Sequence, residues 1–216
     1  MTDFAAQRRN MVDGQVRTAD VTDLRVVSAM MEVPRERFVP ASAAALAYLD
    51  RDLPVGEGGR RLLKPMVLAK LVQAAGIGPA DRLLDVGCAT GYAASLLSRL
   101  AAEVVALEQD EGLLAAARAG LAGLSNVRLV AGPLEAGWQA AAPYDVILLE
   151  GATEVVPEPL CRQLKDGGRL VCVQGAGPDA KAVLYLRSGD DIGARALFDA
   201  GAATLPGFAK APVFSF

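Results

Sequence analysis

The sequence of 216 residues contains no histidine. This absence excludes histidine-containing catalytic triads, histidine general bases and the usual catalytic zinc sites. The three cysteines, Cys88, Cys161 and Cys172, show no C-x-x-C spacing, so neither a zinc ribbon nor a disulfide framework is expected. Any chemistry must therefore come from carboxylates, backbone groups or a bound cofactor, and we predict no metal site.

Aromatic residues, strong net charge and long apolar runs are also scarce. Aromatics make up only 5% of the chain, so Ala, Val and Leu must form the core. The net charge of -3 offers no overall attraction to nucleic acid or to an anionic membrane. No apolar run reaches the roughly 18 residues of a membrane span, and the N-terminus lacks the apolar block of a signal peptide. We therefore expect a cytoplasmic monomer or homodimer that binds neither nucleic acid nor membrane.

Between Asp81 and Gly175, short apolar runs alternate with Ala- and Leu-rich stretches of helical length. The runs are continuous, as expected for strands that are buried on both faces. They are Leu83–Gly87, Val104–Glu108, Val127–Gly132, Tyr144–Gly151 and Arg169–Gly175. Strands that alternate with helices predict an α/β fold with a doubly wound, mostly parallel, Rossmann-like sheet.

The two ends of the chain have different patterns. Residues 1–80 lack the strand–helix alternation and predict a helical region, with helices within 21–34, 41–49 and 64–79 and a loop at 52–61. Residues 81–216 form the predicted cofactor domain, and both parts belong to one compact unit. Lys181–Gly189 and Ala194–Ala202 predict an antiparallel pair that completes the sheet. The tail from Leu205, with alternating Val213, Phe214 and Phe216, predicts a strand or extended segment that covers an edge.

The segment Leu84–Tyr92 leaves a predicted strand and enters a helix, a place where doubly wound sheets bind ligands. Gly87 and Gly91 permit a sharp turn and close approach of a ligand to the backbone. The spacing is not the G-x-G-x-x-G of a dinucleotide site. Asp85 would repel a pyrophosphate and would suit a cationic group such as an α-ammonium. The alternative interpretation is a glycine-rich turn that serves only tight packing.

Glu108 ends the next strand, 21 positions after Gly87. An acid at this position can accept hydrogen bonds from ribose hydroxyls. Alone it would more often be a solvated residue at a strand end. Together with Asp85 it predicts a ligand that carries an ammonium group and a ribose but no pyrophosphate, which describes S-adenosylmethionine.

The chain here resembles the class I S-adenosylmethionine-dependent methyltransferases and, more narrowly, the protein-L-isoaspartate (D-aspartate) O-methyltransferase family. The resemblance covers about residues 8–175. It rests on Met11–Arg17, Val21–Pro40, Tyr48–Gly56, Leu83–Tyr92, Val104–Glu108, Ala136–Ala152 and Leu164–Val171. The resemblance implies a seven-stranded sheet with an antiparallel C-terminal strand and a helical N-terminal extension.

The resemblance also implies a reaction and a set of site residues. The family methylates the carboxylate of isoaspartyl residues in proteins or peptides, which begins their repair. An activated sulfonium methyl and an ionised acceptor need no strong general base, so positioning and desolvation dominate. The implied cofactor residues are Asp85, Gly87, Cys88, Ala89, Gly91, Glu108, Gly132, Pro133 and Leu134.

One departure from the family lies on the acceptor side. Where the family has a serine before Pro65, this chain has Leu63, which cannot hydrogen-bond a carboxylate. We consider Arg60, Arg61 and Lys64 as groups that hold the acceptor anion instead. Glu150, which ends the fourth predicted strand, should point at the cofactor-side crevice and is a candidate for a catalytic or substrate role. A solvated loop and a solvated strand-end acid are the alternatives.

The second departure lies on the adenine side. The family's Gly-Asp-Gly is Gly132-Pro133-Leu134 here, which removes one hydrogen-bond acceptor and one backbone N–H. Glu135 could substitute, or could face solvent. Trp138 could cover the adenine or belong to the core, and Cys88 could be a reactive thiol or a small buried residue. The rival hypotheses are a methyltransferase of the same fold that acts on another carboxylate or a small molecule, and a non-catalytic relative that senses a cofactor or binds a partner.

Overall fold

The computed structural model describes residues 3–211. The N-terminal region is mostly helical, as the sequence predicts. It contains α1 (Phe4–Met11), a π-helical turn (Val12–Val16), α2 (Leu24–Glu32), three 3-10 turns (Arg17–Ala19, Arg35–Phe38 and Ala41–Leu46), the short strands β1 (Leu53–Pro54) and β2 (Arg61–Leu62), and α3 (Pro65–Ala75). Every helix within the described residues is too short or too polar to cross a membrane.

Local chemistry explains where α3 begins and ends. Pro65 occupies its first turn, where backbone N–H groups form no hydrogen bond within the helix. The lack of an N–H in proline therefore costs no helical hydrogen bond. Gly76 ends it in the left-handed conformation with φ 57°. The predicted loop at 52–61 is a two-stranded hairpin, in which Leu53 pairs with Leu62. Strands of two residues carry no periodicity, so the sequence pattern could not distinguish this hairpin from a loop.

The remaining chain forms a seven-stranded sheet with the order β5-β4-β3-β6-β7-β8-β9. Its strands are β3 (Arg82–Val86), β4 (Glu103–Glu108), β5 (Val127–Ala131), β6 (Tyr144–Thr153), β7 (Leu164–Gln174), β8 (Lys181–Ser188) and β9 (Asp191–Asp199). The connecting helices are α4 (Tyr92–Leu97), α5 (Glu111–Gly120) and α6 (Glu158–Cys161). Strands β3 to β7 are parallel, and β8 is antiparallel to β7 and β9. The predicted fold class is confirmed.

The sheet is covered on both faces, which explains the continuous apolar runs. Leu83 joins a core cluster with α3, whereas Leu84 joins a second cluster on the opposite face. This alternation follows from the two-residue period of a strand. The first cluster contains apolar residues of the N-terminal region as well as of the sheet. The division of the chain near residue 80 stays a prediction.

The end of the described chain lies at the middle of the sheet. We call residues 203–210 the C-terminal strap. Its backbone pairs with the last residues of β6: Ala152 N donates to Ala203 O at 2.8 Å, and Leu205 N donates to Ala152 O at 2.9 Å. The prediction that the tail covers a sheet edge is therefore wrong for this segment, because β6 is a central strand. Val213, Phe214 and Phe216 lie outside the described residues.

Candidate active site

The predicted cofactor loop lies at the carboxyl end of β3. Gly87 has φ 77° and Gly91 has φ 92°, conformations that favour glycine. A Cβ at Gly91 would lie 2.9 Å from Leu121 Cγ, so this position also lacks room for a side chain. Ala89 lies between them with φ 49°, a left-handed conformation that an L-residue with a Cβ rarely adopts. The loop thus brings the backbone of residues 87–91 close to the ends of β3 and β4.

Glu108 ends β4 beside this loop and is completely buried. Its carboxylate forms a bidentate ion pair with Arg60, in which Nη1 lies 2.7 Å from Oε1 and Nη2 lies 2.8 Å from Oε2. Arg60 is itself only 6% exposed. Its Nη2 also donates to Gly87 O at 3.0 Å, which ties the guanidinium to the cofactor loop.

Backbone N–H groups complete the surroundings of Glu108. Ala89 N donates to Oε2 at 2.9 Å, and Gln109 N and Asp110 N donate to Oε1 at 2.8 and 3.1 Å. With the two bonds from Arg60, both carboxylate oxygens are saturated. A buried carboxylate is tolerated when it is paired and hydrogen-bonded in this way. The predicted ribose acid therefore already has a partner within the chain.

Asp85 and Glu150 are a second group of buried carboxyls, near the carboxyl ends of β3 and β6. Both oxygens of Asp85 and Oε1 of Glu150 accept no hydrogen bond from a donor group of the described residues. Burial raises the pKa of Asp85 to about 7. Burial, and then the charge of Asp85, raise the pKa of Glu150 well above its usual value. Two unsatisfied acids in one buried place are suited to receive a cationic group.

The adenine side is closed by apolar residues. Leu134 is fully buried, and a Cβ at Gly132 would lie 3.4 Å from Trp138 Cζ3. Trp138 is half-buried against the second core cluster, and its indole Nε1 is buried without a partner among residues 3–211. Glu135 is exposed, and its carboxyl group lies beside Gly207 of the C-terminal strap.

The C-terminal strap covers the cofactor loop from the other side. An ideal Cβ at Gly87 would lie 3.1 Å from Leu205 Cδ2 and 3.2 Å from Arg60 Nη2. A Cβ at Gly151 would lie 2.7 Å from Leu205 Cγ. The cavity that remains among Asp52, Arg61, Glu150 and the strap measures about 10 Å³. Such a volume holds about one water molecule, whereas small-molecule sites measure about 300–1,000 Å³.

The acceptor-side candidates lie next to this cavity. Arg61 is exposed and contributes to its lining, and Lys64 is half-buried at the start of α3. Leu63, at the position of the family's serine, is buried. Of the three basic candidates, the structure pairs Arg60 with Glu108 and leaves Arg61 facing the opening of the cleft.

Arg35 is a buried residue beside the candidate site that the sequence reasoning did not single out. It is completely buried, donates from Nε to Ala47 O and from Nη2 to Leu63 O, both at 2.9 Å, and lies 4.7 Å from the centre of the Tyr92 ring. These contacts join the acceptor-side segment to the first residue of α4. The only sequence signal was its place within the family-like segment Val21–Pro40.

Cys88 lies inside the cofactor loop and is buried. Burial, and then the nearby carboxylates, raise the pKa of its thiol well above the usual value, which opposes the reactive-thiol interpretation. Among residues 3–211, no group of three or more Cys, Asp or Glu side chains is arranged to hold a metal ion. The roles of all these residues in cofactor binding stay predictions.

Comparison with known sequences gives a family match over most of the chain. The model of the protein-L-isoaspartate(D-aspartate) O-methyltransferase family matches residues 6–193. A protein-L-isoaspartate O-methyltransferase of Methylorubrum populi is 43% identical over 86% of this chain and 86% of its own length. One of Roseiflexus castenholzii is 40% identical over 91% of this chain and 90% of its own length.

Solved structures agree with the fold. A protein-L-isoaspartate O-methyltransferase matches with a TM-score of 0.80 and 26% identity. The match covers 93% of this chain and 66% of the chain of that structure, slightly less than two thirds. A Plasmodium falciparum protein of the same description, in complex with S-adenosyl-L-homocysteine, matches with a TM-score of 0.78 and 16% identity, covering 95% of this chain and 99% of its own. The second likeness concerns the fold alone.

Proposed function

Because this chain belongs to the protein-L-isoaspartate(D-aspartate) O-methyltransferase family, we propose that it transfers a methyl group from S-adenosylmethionine to the carboxylate of an isoaspartyl residue. The single observation that carries the proposal is the family match over residues 6–193. The buried acids at the carboxyl ends of β3, β4 and β6 support it, because this edge of a parallel sheet is where such folds bind ligands. The acceptor is an isoaspartyl residue in a protein or peptide.

The chemical types of the residues at the site match the groups of this cofactor. Glu108 would accept the ribose hydroxyls, and Asp85 with Glu150 would face the cationic end of the ligand. Gly87 and Gly91 allow the backbone to approach it closely. S-adenosylmethionine, when bound, supplies a methyl group that is already activated by its sulfonium. In the conformation described here, Arg60 and Leu205 take the space beside Gly87, so the fit is chemical but not spatial.

Orientation and exclusion of water are the contributions expected from the chain itself. The acceptor carboxylate is ionised at neutral pH, so no side chain has to remove a proton from it. Leu63 cannot donate a hydrogen bond to this carboxylate. Arg61 is the group best suited to hold it, because its guanidinium is exposed at the opening and can form two parallel bonds. Lys64, half-buried in the same segment, would add a second positive charge.

The direct test measures methyl transfer. The chain is incubated with radiolabelled S-adenosylmethionine and an isoaspartyl peptide, beside the same peptide with a normal aspartyl residue. We expect base-labile label in the isoaspartyl peptide and background label in the other. Label in neither peptide, with folded protein and saturating cofactor, would refute the proposed function.

Substitution of Arg61 tests its role on the acceptor side. We expect Arg61→Ser to raise the KM for the isoaspartyl peptide about tenfold, because a charge-assisted hydrogen bond contributes about 1.5–3 kcal/mol. The affinity for S-adenosylhomocysteine should stay within about twofold, since this side chain does not contact Glu108. Arg51→Ser, which removes an exposed charge from the preceding segment, is the control. An unchanged KM in Arg61→Ser would exclude Arg61 from acceptor binding.

A second acceptor is favoured by one observation, the replacement of the family's serine position by buried Leu63. The cationic opening could select a small-molecule carboxylate in place of a peptide. Competition distinguishes the two: a small carboxylate that is itself methylated would suppress labelling of the peptide. The cytoplasmic location and the monomeric or homodimeric state stay predictions.

A further inference from the structure

We infer that this chain closes its own nucleoside site, with Arg60 bound to Glu108 in the place of the ribose and the C-terminal strap packed over the cofactor loop. S-adenosylmethionine then binds only after Arg60 has left Glu108. The inference rests on the proposed function, because it assigns a form of regulation to the same cleft. Three features of the structure support it.

The first feature is competition for the oxygens of Glu108. A ribose diol and a guanidinium both present two donors to the two oxygens of one carboxylate. Arg60 already engages both oxygens, at 2.7 and 2.8 Å, and three backbone N–H groups engage them as well. No direction remains from which hydroxyl groups could reach this carboxylate. Binding of the ribose and of Arg60 at Glu108 are therefore mutually exclusive.

The second feature is the space beside Gly87, which is filled from two sides. Arg60 Nη2 and Leu205 Cδ2 both lie in contact with Gly87, on which a ligand would have to pack. Leu205 in turn rests on Gly151, where the absence of a side chain lets the strap approach β6. The cavity of about 10 Å³ left between them does not admit a nucleoside. Opening therefore involves both the guanidinium and the strap.

The third feature is the lightly held segment that carries Arg60. It lies in the loop between β1 and β2, two strands of only two residues each. No atom lies within 4 Å of the Cβ position at Gly58 or Gly59, so the preceding part of the loop faces open space. Because β1 and β2 form a separate two-stranded sheet, movement of this loop would break the hydrogen bond from Val55 N to Arg60 O but none within the seven-stranded sheet. The closed state reduces the apparent affinity for the cofactor by the fraction of molecules in which the cleft is open.

Calorimetric titration with S-adenosylhomocysteine tests the inference on the full chain. We expect Arg60→Ser to lower the Kd at least about tenfold relative to the unsubstituted chain, because the competing guanidinium is removed. Arg51→Ser, which removes one positive charge from an exposed position of the preceding segment, should leave the Kd within about twofold. An Arg60→Ser Kd equal to or weaker than that of the unsubstituted chain would overturn the self-closure alone. Absence of millimolar binding in every variant would instead refute the proposed function, and the self-closure with it.

Two further variants keep the test decisive if Arg60→Ser does not fold, since it leaves Glu108 buried without its partner. Arg60→Lys retains the charge but not the bidentate geometry, and we expect about threefold tighter binding. Leu205→Ala leaves the ion pair intact and opens the strap side, so tighter binding by a similar factor is expected. Affinities of both variants equal to that of the unsubstituted chain would contradict the inference.

Discussion

Three carboxyl side chains, Asp85, Glu108 and Glu150, are buried at one end of the sheet, and their surroundings differ. Glu108 is fully hydrogen-bonded, whereas both oxygens of Asp85 and Oε1 of Glu150 accept no hydrogen bond from the donors of the described residues. The sequence could place Asp85 and Glu108, because acids at strand ends follow apolar runs. It could not predict the pairing of Glu108 with Arg60, since 48 positions separate them and no local pattern relates a loop arginine to a particular strand.

The pKa of Asp85 gives a prediction at the residue scale. Its value in the folded chain, about 7, lies above the usual 3.8, so the folded state binds this proton more tightly than the unfolded chain does. The protonated carboxyl of Asp85 therefore favours the folded state fully below pH about 4, and this contribution to the free energy of unfolding is lost as the pH rises through about 7. We expect Asp85→Asn to raise the free energy of unfolding by about 2 kcal/mol at pH 8 and to have little effect at pH 4.5.

Urea unfolding at the two pH values measures this difference. Asp191→Asn, at an exposed position of β9, is the control and should preserve the pH dependence of the unsubstituted chain. The pKa of Asp145 is lowered despite its partial burial, because Arg82 N and Lys165 hydrogen-bond its carboxylate. Its stabilisation is therefore present at both pH values and is lost only as the pH falls below the usual 3.8. The same decline in stability for the unsubstituted chain and Asp85→Asn would show that another group is responsible.

At the scale of elements, the strands that are buried on both faces are the ones that the sequence predicts well. The run Leu83–Gly87 corresponds to β3 (Arg82–Val86), and Val104–Glu108 to β4 (Glu103–Glu108). Helix α1 was missed because half of its sequence, FAAQRRNM, is polar and only Met11 is fully buried. The strap was misplaced for a different reason. Its position depends on Gly151 in β6, and nothing in the sequence links that glycine to Leu205.

Gly151→Ala tests how the strap is held. The new Cβ would lie 2.7 Å from Leu205 Cγ and 2.9 Å from Ala203 O, and a backbone oxygen cannot yield as a flexible side chain does. We expect the strap to detach and the chain to lose about 1–3 kcal/mol of stability. Chymotrypsin should then cleave after Phe208, which is buried in the native chain, about tenfold faster. Gly201→Ala, with no atom within 4 Å of the Cβ position, is the control. Equal cleavage rates in both variants would mean that close approach at Gly151 does not hold the strap.

At the scale of the whole molecule, the N-terminal region and the sheet share one apolar core. The first core cluster includes Val67 and Leu71 of α3 together with Val146 of β6 and Val171 of β7. Buried Arg35 adds polar contacts between the N-terminal turns and the segment before α3. The sequence indicated a change of pattern near residue 80 but not how strongly the two parts depend on each other, because packing between distant segments leaves no periodic signal.

A substitution in one part should therefore destabilise the other. Leu68 of α3 is buried in the shared cluster, and Leu68→Ala should lower the free energy of unfolding by about 2–5 kcal/mol. Trp138, the only tryptophan of the chain, reports on the sheet side, well away in sequence from α3. We expect the urea midpoint of Trp138 fluorescence to fall with that of the helical circular dichroism, in one coincident transition. Leu24→Ala, at a side chain that is 70% exposed, should leave both midpoints nearly unchanged. If Leu68→Ala shifted the circular dichroism but not the fluorescence, residues before 80 would unfold independently of the sheet.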